Sequence, residues 1–161
     1  MSRAQVDQGA AGMGEQREAN RGRILIVDDD PNTLEILRRW LAREGYTTVS
    51  ADNGRACLDT LAKGPVDVIV LDVMMPGMDG LQVCEKLREN PNWRSIPVVL
   101  LTAKDDIETR SRGMVLGVSE YLTKPVNKLE LFARLQAQLH SRELERRMDA
   151  TAATVAGLAK K

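Results

Sequence analysis

The sequence predicts an α/β fold, a doubly wound sheet of five parallel strands with helices on both faces and an extended helix at the C-terminal end. Three observations predict it. Five apolar runs alternate with segments of helical period, which calls for strands joined by helical crossovers. Turn-forming pairs and triplets separate the runs from the helices: Asp30-Pro31-Asn32, Asn53-Gly54, Gly64-Pro65, Pro76-Gly77, Asp79-Gly80 and Lys124-Pro125. The third and fourth runs are apolar nearly throughout, as strands covered on both faces must be.

Residues 1–22 have almost no large apolar side chain and no period, and read as a disordered tail. The first strand is "ILIV" at 24–27, followed by a helix with Leu34, Leu37 and Leu41 on one side. The second strand is "YTTVSA" at 46–51 and the third "VDVIVL" at 66–71. Leu81, Cys84 and Leu87 mark the helix after it, and "PVVLLT" at 97–102 is the fourth strand. "VSEYL" at 118–122 is the fifth. The expected domain spans residues 23–140, and residues 141–161 form a helical extension.

Composition narrows the function. With 161 residues, 43% hydrophobic and 29% charged, the chain has enough apolar material for one domain plus tails. Its net charge is zero, so nothing points to direct nucleic-acid binding or to an anionic membrane. No apolar run approaches the length of a membrane span, and no secretion signal is recognisable, so the expected location is cytoplasmic. Cys57 and Cys84 sit in helical segments without metal-ligand spacing and read as reduced packing residues.

In an open parallel sheet the working crevice lies beyond the carboxyl ends of the strands. There the sequence places Asp28, Asp29 and Asp30 after the first strand, Asp72 after the third, Thr102 at the end of the fourth and Lys124 after the fifth. Two full charges about 4 Å apart repel by roughly 4 kcal/mol at an effective dielectric of about 20, so clustered carboxylates need a cation. A hard divalent ion that keeps water ligands, Mg²⁺, suits such a site, and no His or Cys lies nearby in sequence to favour zinc. One carboxylate can then act as a nucleophile, while the metal, the Thr hydroxyl and the Lys ammonium neutralise a transferring phosphoryl group.

The motifs "ILIVDDD", "VIVLDVMMPGMDGLQ", "IPVVLLTA" and "EYLTKP" together resemble the receiver domain of bacterial two-component response regulators, from about Arg23 to His140 and in family order. The resemblance implies a flavodoxin-like sheet in strand order 2-1-3-4-5. It implies that Asp72 accepts a phosphoryl group from a phosphohistidine on a sensor histidine kinase or phosphotransfer protein. Asp28 and Asp29 match the acidic pair, with Asp29 as the direct metal ligand, and Met74 matches the position that offers a backbone carbonyl to the metal. Thr102 and Lys124 match the hydroxyl and lysine of the site, and Tyr121 the aromatic that changes rotamer as Thr102 moves. The Lys124-Pro125 peptide is expected to be cis. Met74 and Lys104 match two variable positions beside the site and are expected to slow attack by water on the acyl phosphate.

Other residues have plainer readings. Asp30, beside Pro31, reads as the cap of the first helix rather than a ligand. Gly80 supplies a turn conformation or lets the third helix pack closely. His140, the only histidine, reads as a surface residue. Trp93 reads as a loop residue partly buried over the core.

Residues 127–158 contain no proline and, before Gly157, no glycine; at about 1.5 Å per residue they could extend roughly 50 Å as helix. Phe132, Leu135 and Leu139 fit packing on the sheet. Leu144, Met148, Val155 and Leu158, with Thr151 between, keep a four-three rhythm on another face. Either a solvated helix or a short coiled coil satisfies this pattern. A homodimer would form through this helix or through the face of the fourth helix, fifth strand and fifth helix; the output partner is unknown.

The expected function is a phosphorylation-dependent signalling switch that catalyses only its own phosphotransfer and slow dephosphorylation. Three rival readings stand beside it: an Asp-nucleophile phosphohydrolase of the haloacid dehalogenase type using the Asp28/Asp30 spacing, a receiver with a silent site, and a receiver fragment of a longer regulator.

Overall fold

In a computed structural model of the protein, residues 21–103 and 105–159 are described. Five strands, β1 (Arg23–Val27), β2 (Thr47–Ala51), β3 (Val68–Asp72), β4 (Val98–Thr102) and β5 (Glu120–Thr123), alternate with five helices. The helices are α1 (Pro31–Arg43), α2 (Gly54–Lys63), α3 (Gly80–Glu89), α4 (Ile107–Val115) and α5 (Lys128–Ala159). All strand pairs are parallel, in the order β2-β1-β3-β4-β5. The strand order reverses between β1 and β3, so an open crevice is expected at their tips.

The alternation of side chains along each strand divides the core into two layers. Leu25, Val27, Ile69, Leu71, Val98 and Leu100 meet Cys57 and Leu61 of α2 and Leu81, Cys84 and Leu87 of α3 on one face. Ile24, Ile26, Val68, Val70, Val99 and Leu101 meet Leu37 and Leu41 of α1 and Leu131 and Leu135 of α5 on the other. β1, β3 and β4 are therefore apolar on both sides. The edge strand β2 can afford Thr47, Thr48 and Ser50.

Several turn pairs are helix starts. Asn53 and Asp79 are N-caps, accepting hydrogen bonds from the amides of Ala56 and Gln82, and each is followed by glycine as the first helical residue. Asp79 and Gln82 complete a capping box. Gly77, after Pro76, takes φ +77°, a backbone conformation in which a side chain would be strained.

Three details differ from the sequence reading. β5 begins at Glu120 rather than at residue 118, because the Val118 amide still bonds the Gly113 carbonyl as part of the turn leaving α4. The stripe of α5 that enters the core is centred on Leu131 and Leu135, with Phe132 and Leu139 flanking it. Packing also begins before residue 23. The Arg21 amide bonds the Gly45 carbonyl, and its guanidinium bonds the Glu44 carbonyl and lies 5.3 Å from the Tyr46 ring centroid.

α5 runs unbroken past residue 140. Arg142 donates to the Asp67 carbonyl at 3.2 Å and Arg146 pairs with the Asp67 carboxylate at 3.5 Å, which ties the helix to the entry of β3. Leu144 and Met148 are exposed. The side chains of Val155 and Leu158, the remainder of that stripe, lie outside the described residues, as do residues 1–20, which hold nearly all of the expected tail.

Candidate functional site

Strand register sets the heights of the polar tips. Val27 lies level with Leu71, and Asp72 with Leu101, which lies level with Leu122. One step further, Asp28 follows Val27 and sits beside Asp72, while Thr102 is level with Thr123. The ladder continues beyond the strands: the Val73 amide bonds the Leu101 carbonyl and the Lys124 amide bonds the Thr102 carbonyl at 2.8 Å. The strands thus bring Asp28, Asp72, Thr102 and Lys124 together at one edge.

One carboxylate oxygen from each of Asp28, Asp29 and Asp72 lies within 4.8 Å of the others. Asp28 and Asp72 are 1% and 2% exposed, whereas Asp29 faces solvent. Lys124 Nζ lies 2.8 Å from Asp72 Oδ1 and 3.2 Å from Asp28 Oδ2. The Asp30 amide donates to Asp28 Oδ1 at 2.9 Å. The Lys124-Pro125 peptide is cis.

The electrostatics follow from this arrangement. Burial raises the Asp72 carboxyl above its ordinary value; the hydrogen bond from Lys124 lowers it, and the neighbouring Asp28 charge raises it further. For Lys124, burial works against the charge, but the two carboxylates more than offset it and hold the ammonium above its ordinary value. One ammonium thus faces two buried carboxylates with a third beside them. That surplus of hard oxygen donors, with no His or Cys in the cluster, fits Mg²⁺. Asp28, Asp29 and Asp72 are the residues that would hold it.

Asp30 behaves as a cap. Its carboxylate accepts from the Asn32 amide at 3.0 Å and from the Thr33 hydroxyl at 3.0 Å, and it is absent from the acidic cluster. Its carboxylate is thus occupied at the N-terminus of α1. Gly80 acts through close approach: a Cβ there would lie 2.5 Å from the Asp72 carbonyl oxygen and 2.8 Å from Val73 Cα. The Met74 side chain is exposed. His140 is exposed and Trp93 is half-buried against the α2–α3 layer. Lys104 lies outside the described residues.

Thr102, 1% exposed, belongs to the other side of the sheet. Residues 98, 100 and 102 alternate onto the α2–α3 face, and register places Tyr121 and Thr123 there as well. Two residues of α4 that the sequence did not single out, Arg110 and Gly113, converge here. Arg110 of α4 donates through Nε to Thr102 Oγ1 at 3.4 Å and through a terminal nitrogen to Thr123 Oγ1. Its carbonyl accepts from the Tyr121 hydroxyl. A Cβ at Gly113 would lie 2.8 Å from that hydroxyl, so glycine makes the room for Tyr121. Arg88 of α3 binds the carbonyls of Leu116 and Gly117 just after α4.

The family model of the response regulator receiver domain matches residues 24–136. The chain belongs to the receiver domain family. The response regulator PleD of Caulobacter vibrioides is 45% identical over 115 residues, which is 71% of this chain and 25% of PleD. The response regulator MprA of Mycolicibacterium vanbaalenii is 45% identical over 117 residues, 73% of this chain and 50% of MprA. A putative response regulator from Chloroflexus aurantiacus superposes with a TM-score of 0.71 at 34% identity, over 74% of this chain and 98% of that one. The chemotaxis protein CheY4 of Vibrio cholerae gives 0.69 at 31% identity, over 73% and 98%. The chain spans about a quarter to a half of these two curated relatives. Sheet order and crossovers are those of the flavodoxin-like receiver fold.

Proposed function

We propose that this receiver domain is a phosphorylation-dependent switch of a two-component system in which Asp72 is the phosphoryl acceptor. An Asp72 carboxylate oxygen attacks the phosphorus of a phosphohistidine on a sensor histidine kinase or phosphotransfer protein. The P–N bond breaks, the imidazole leaves with the electron pair and takes up a proton, and an acyl phosphate forms. Mg²⁺, when bound, neutralises phosphoryl charge at the carboxylates. Asp28, Asp29, Asp72 and the Met74 backbone carbonyl would hold it, while Lys124 neutralises the phosphoryl oxygens from the β5 side. Water later attacks the phosphorus, the P–O bond to Asp72 breaks, and inorganic phosphate leaves with the carboxylate restored, so the protein acts once per signal rather than turning over a substrate. Met74 and Lys104 retard that water, and Met74→Asn changes the phosphoryl lifetime.

The observation that supports this reading best is the trio of Asp28, Asp72 and Lys124: one buried nucleophile candidate, one ammonium at 2.8 Å, and a surplus of negative charge beside it.

The signal leaves through α4, β5 and α5. As Thr102 moves toward the phosphoryl group, Tyr121 changes rotamer and the face of α4, β5 and α5 changes with it, for a partner or a second copy. The weak anchoring of α4 favours this route. Gly113 is its one buried residue, and Ile107, Met114 and Val115 are all exposed. Beryllofluoride with Mg²⁺ tests the reading: the adduct is expected to change amide-exchange protection in α4 and β5, and to alter solution mass if two copies pair. An adduct that leaves α4 and β5 unchanged removes the proposed output face. No described helix is long and apolar enough to cross a membrane.

A further inference from the structure

We propose that Arg110 is a latch that holds Thr102 on the α4 side of the sheet in the unphosphorylated protein, and so sets how readily the phosphoryl site fills. The inference rests on Asp72 being the acceptor. Asp28, Asp72 and Lys124 share strand parity with the core residues that face α1 and α5, whereas Thr102, Tyr121 and Thr123 share parity with those facing α2 and α3. To donate to a phosphoryl oxygen on Asp72, the Thr102 hydroxyl must turn away from the side on which Arg110 holds it.

Arg110 joins all three groups of that opposite side. Its Nε donates to Thr102 Oγ1 at 3.4 Å, a terminal nitrogen donates to Thr123 Oγ1, and its carbonyl accepts from Tyr121. A guanidinium is a rigid planar fork, so anchoring one arm on Thr123 positions the other against Thr102. α4 has few other ties to the sheet. Its exposed face carries Ile107, Met114 and Val115, and its start is capped locally by Asp106, whose carboxylate binds the Thr109 amide and hydroxyl. Arg110 is therefore a principal polar connection between α4 and the β4 and β5 tips among the described residues.

The Arg110–Thr102 bond exists only while Thr102 faces α4. A contact made in one state and broken in the other biases the equilibrium toward the first. A positioning residue of this kind opposes activation, and its removal increases affinity for the phosphoryl mimic. A merely structural residue would do the opposite, because losing it would loosen the site and weaken binding.

The test is a beryllofluoride titration at saturating Mg²⁺ with fluorine NMR detection, on the full chain. Arg110→Met keeps the apolar stem and removes every donor. It is expected to tighten half-saturation by about three- to tenfold, the size expected for one hydrogen bond lost from the resting state. Thr123→Val keeps the cation but frees its second anchor, and is expected to shift affinity in the same direction by less. This second variant decides the matter if Arg110→Met does not fold. Unchanged or weaker binding in the folded variants, with a normal adduct in the parent protein, overturns the latch and leaves Asp72 as acceptor. The absence of an adduct in the parent protein overturns both.

Discussion

The ammonium of Lys124 lies 2.8 Å from a carboxylate oxygen of Asp72, and the same nitrogen reaches Asp28 at 3.2 Å. One cation thus serves two buried anions that stand on different strands. The site is held together by this shared ion, and it remains short of positive charge.

Removing that cation has a defined consequence. Lys124→Met leaves Asp28 and Asp72 facing each other without a counter-ion, and removing this partly exposed partner costs about 1–3 kcal/mol. The metal-free variant is expected to melt several degrees below the parent protein. Added Mg²⁺ is expected to restore more stability to the variant than to the parent, because the vacated charge deepens the anionic well. Thermal scans with and without Mg²⁺ measure both effects.

Asp29 and Asp30 are neighbours in different surroundings, Asp29 in the acidic cluster and Asp30 at the start of α1. Asp29→Ala is expected to weaken Mg²⁺ binding by tenfold or more while leaving the melting temperature nearly unchanged, since its side chain is exposed and belongs to the acidic cluster. Asp30→Ala is expected to cost about 1 kcal/mol of stability through the lost α1 cap and to leave Mg²⁺ affinity nearly intact. Calorimetric Mg²⁺ titration beside denaturant unfolding separates the two. Equal Mg²⁺ losses would contradict the assignment.

Gly80 supports the site through its missing side chain. Gly80→Ala forces a Cβ against the Asp72 carbonyl and the Val73 backbone, neither of which can yield as a flexible side chain would. A loss of at least about 2 kcal/mol in urea unfolding is expected, by the overpacking route.

The two thiols make the fold sensitive to alkali. Burial pushes both Cys57 and Cys84 up to about 12 from the ordinary value of 9.0. A raised folded pKa means the stabilising contribution is fully present below the unfolded pKa and is lost as pH climbs to the folded one. Stability is therefore expected to fall between about pH 9 and 12, by roughly 1.4 kcal/mol per pH unit for each thiol. Urea midpoints across that range, compared with a Cys57→Ala, Cys84→Ala double variant, measure it. The same burial predicts that neither thiol is alkylated in the folded protein at neutral pH.

The parts of the site carried by strands were legible in the sequence because strand ends are. Asp72 stands out where four buried apolar residues meet a carboxylate and then Pro76-Gly77, and Lys124 stands out beside Pro125. Asp30 could be read as a cap because proline follows it. Arg110 and Arg88 were not legible. Each is an arginine in a polar helical segment, where solvent exposure is the ordinary outcome, and only the packing of α4 against β4, β5 and α3 gives them partners. Leu131 was passed over for the same kind of reason. A 3.6-residue period allows Leu131, Phe132, Leu135 and Leu139 onto one broad face, and tertiary contact alone decides that Leu131 and Leu135 form its centre. The early start of packing at Arg21 depends on Gly45 and Tyr46, which no local pattern connects to it.

Under the proposed function, Asp72 is the residue that takes the phosphoryl group. The most direct measurement is tandem mass spectrometry of the protein after incubation with acetyl phosphate and Mg²⁺. A single phosphoryl adduct on Asp72 is expected, dependent on Mg²⁺ and absent from Asp72→Asn. An adduct on any other residue, or none on Asp72 while Mg²⁺ is bound, would contradict it.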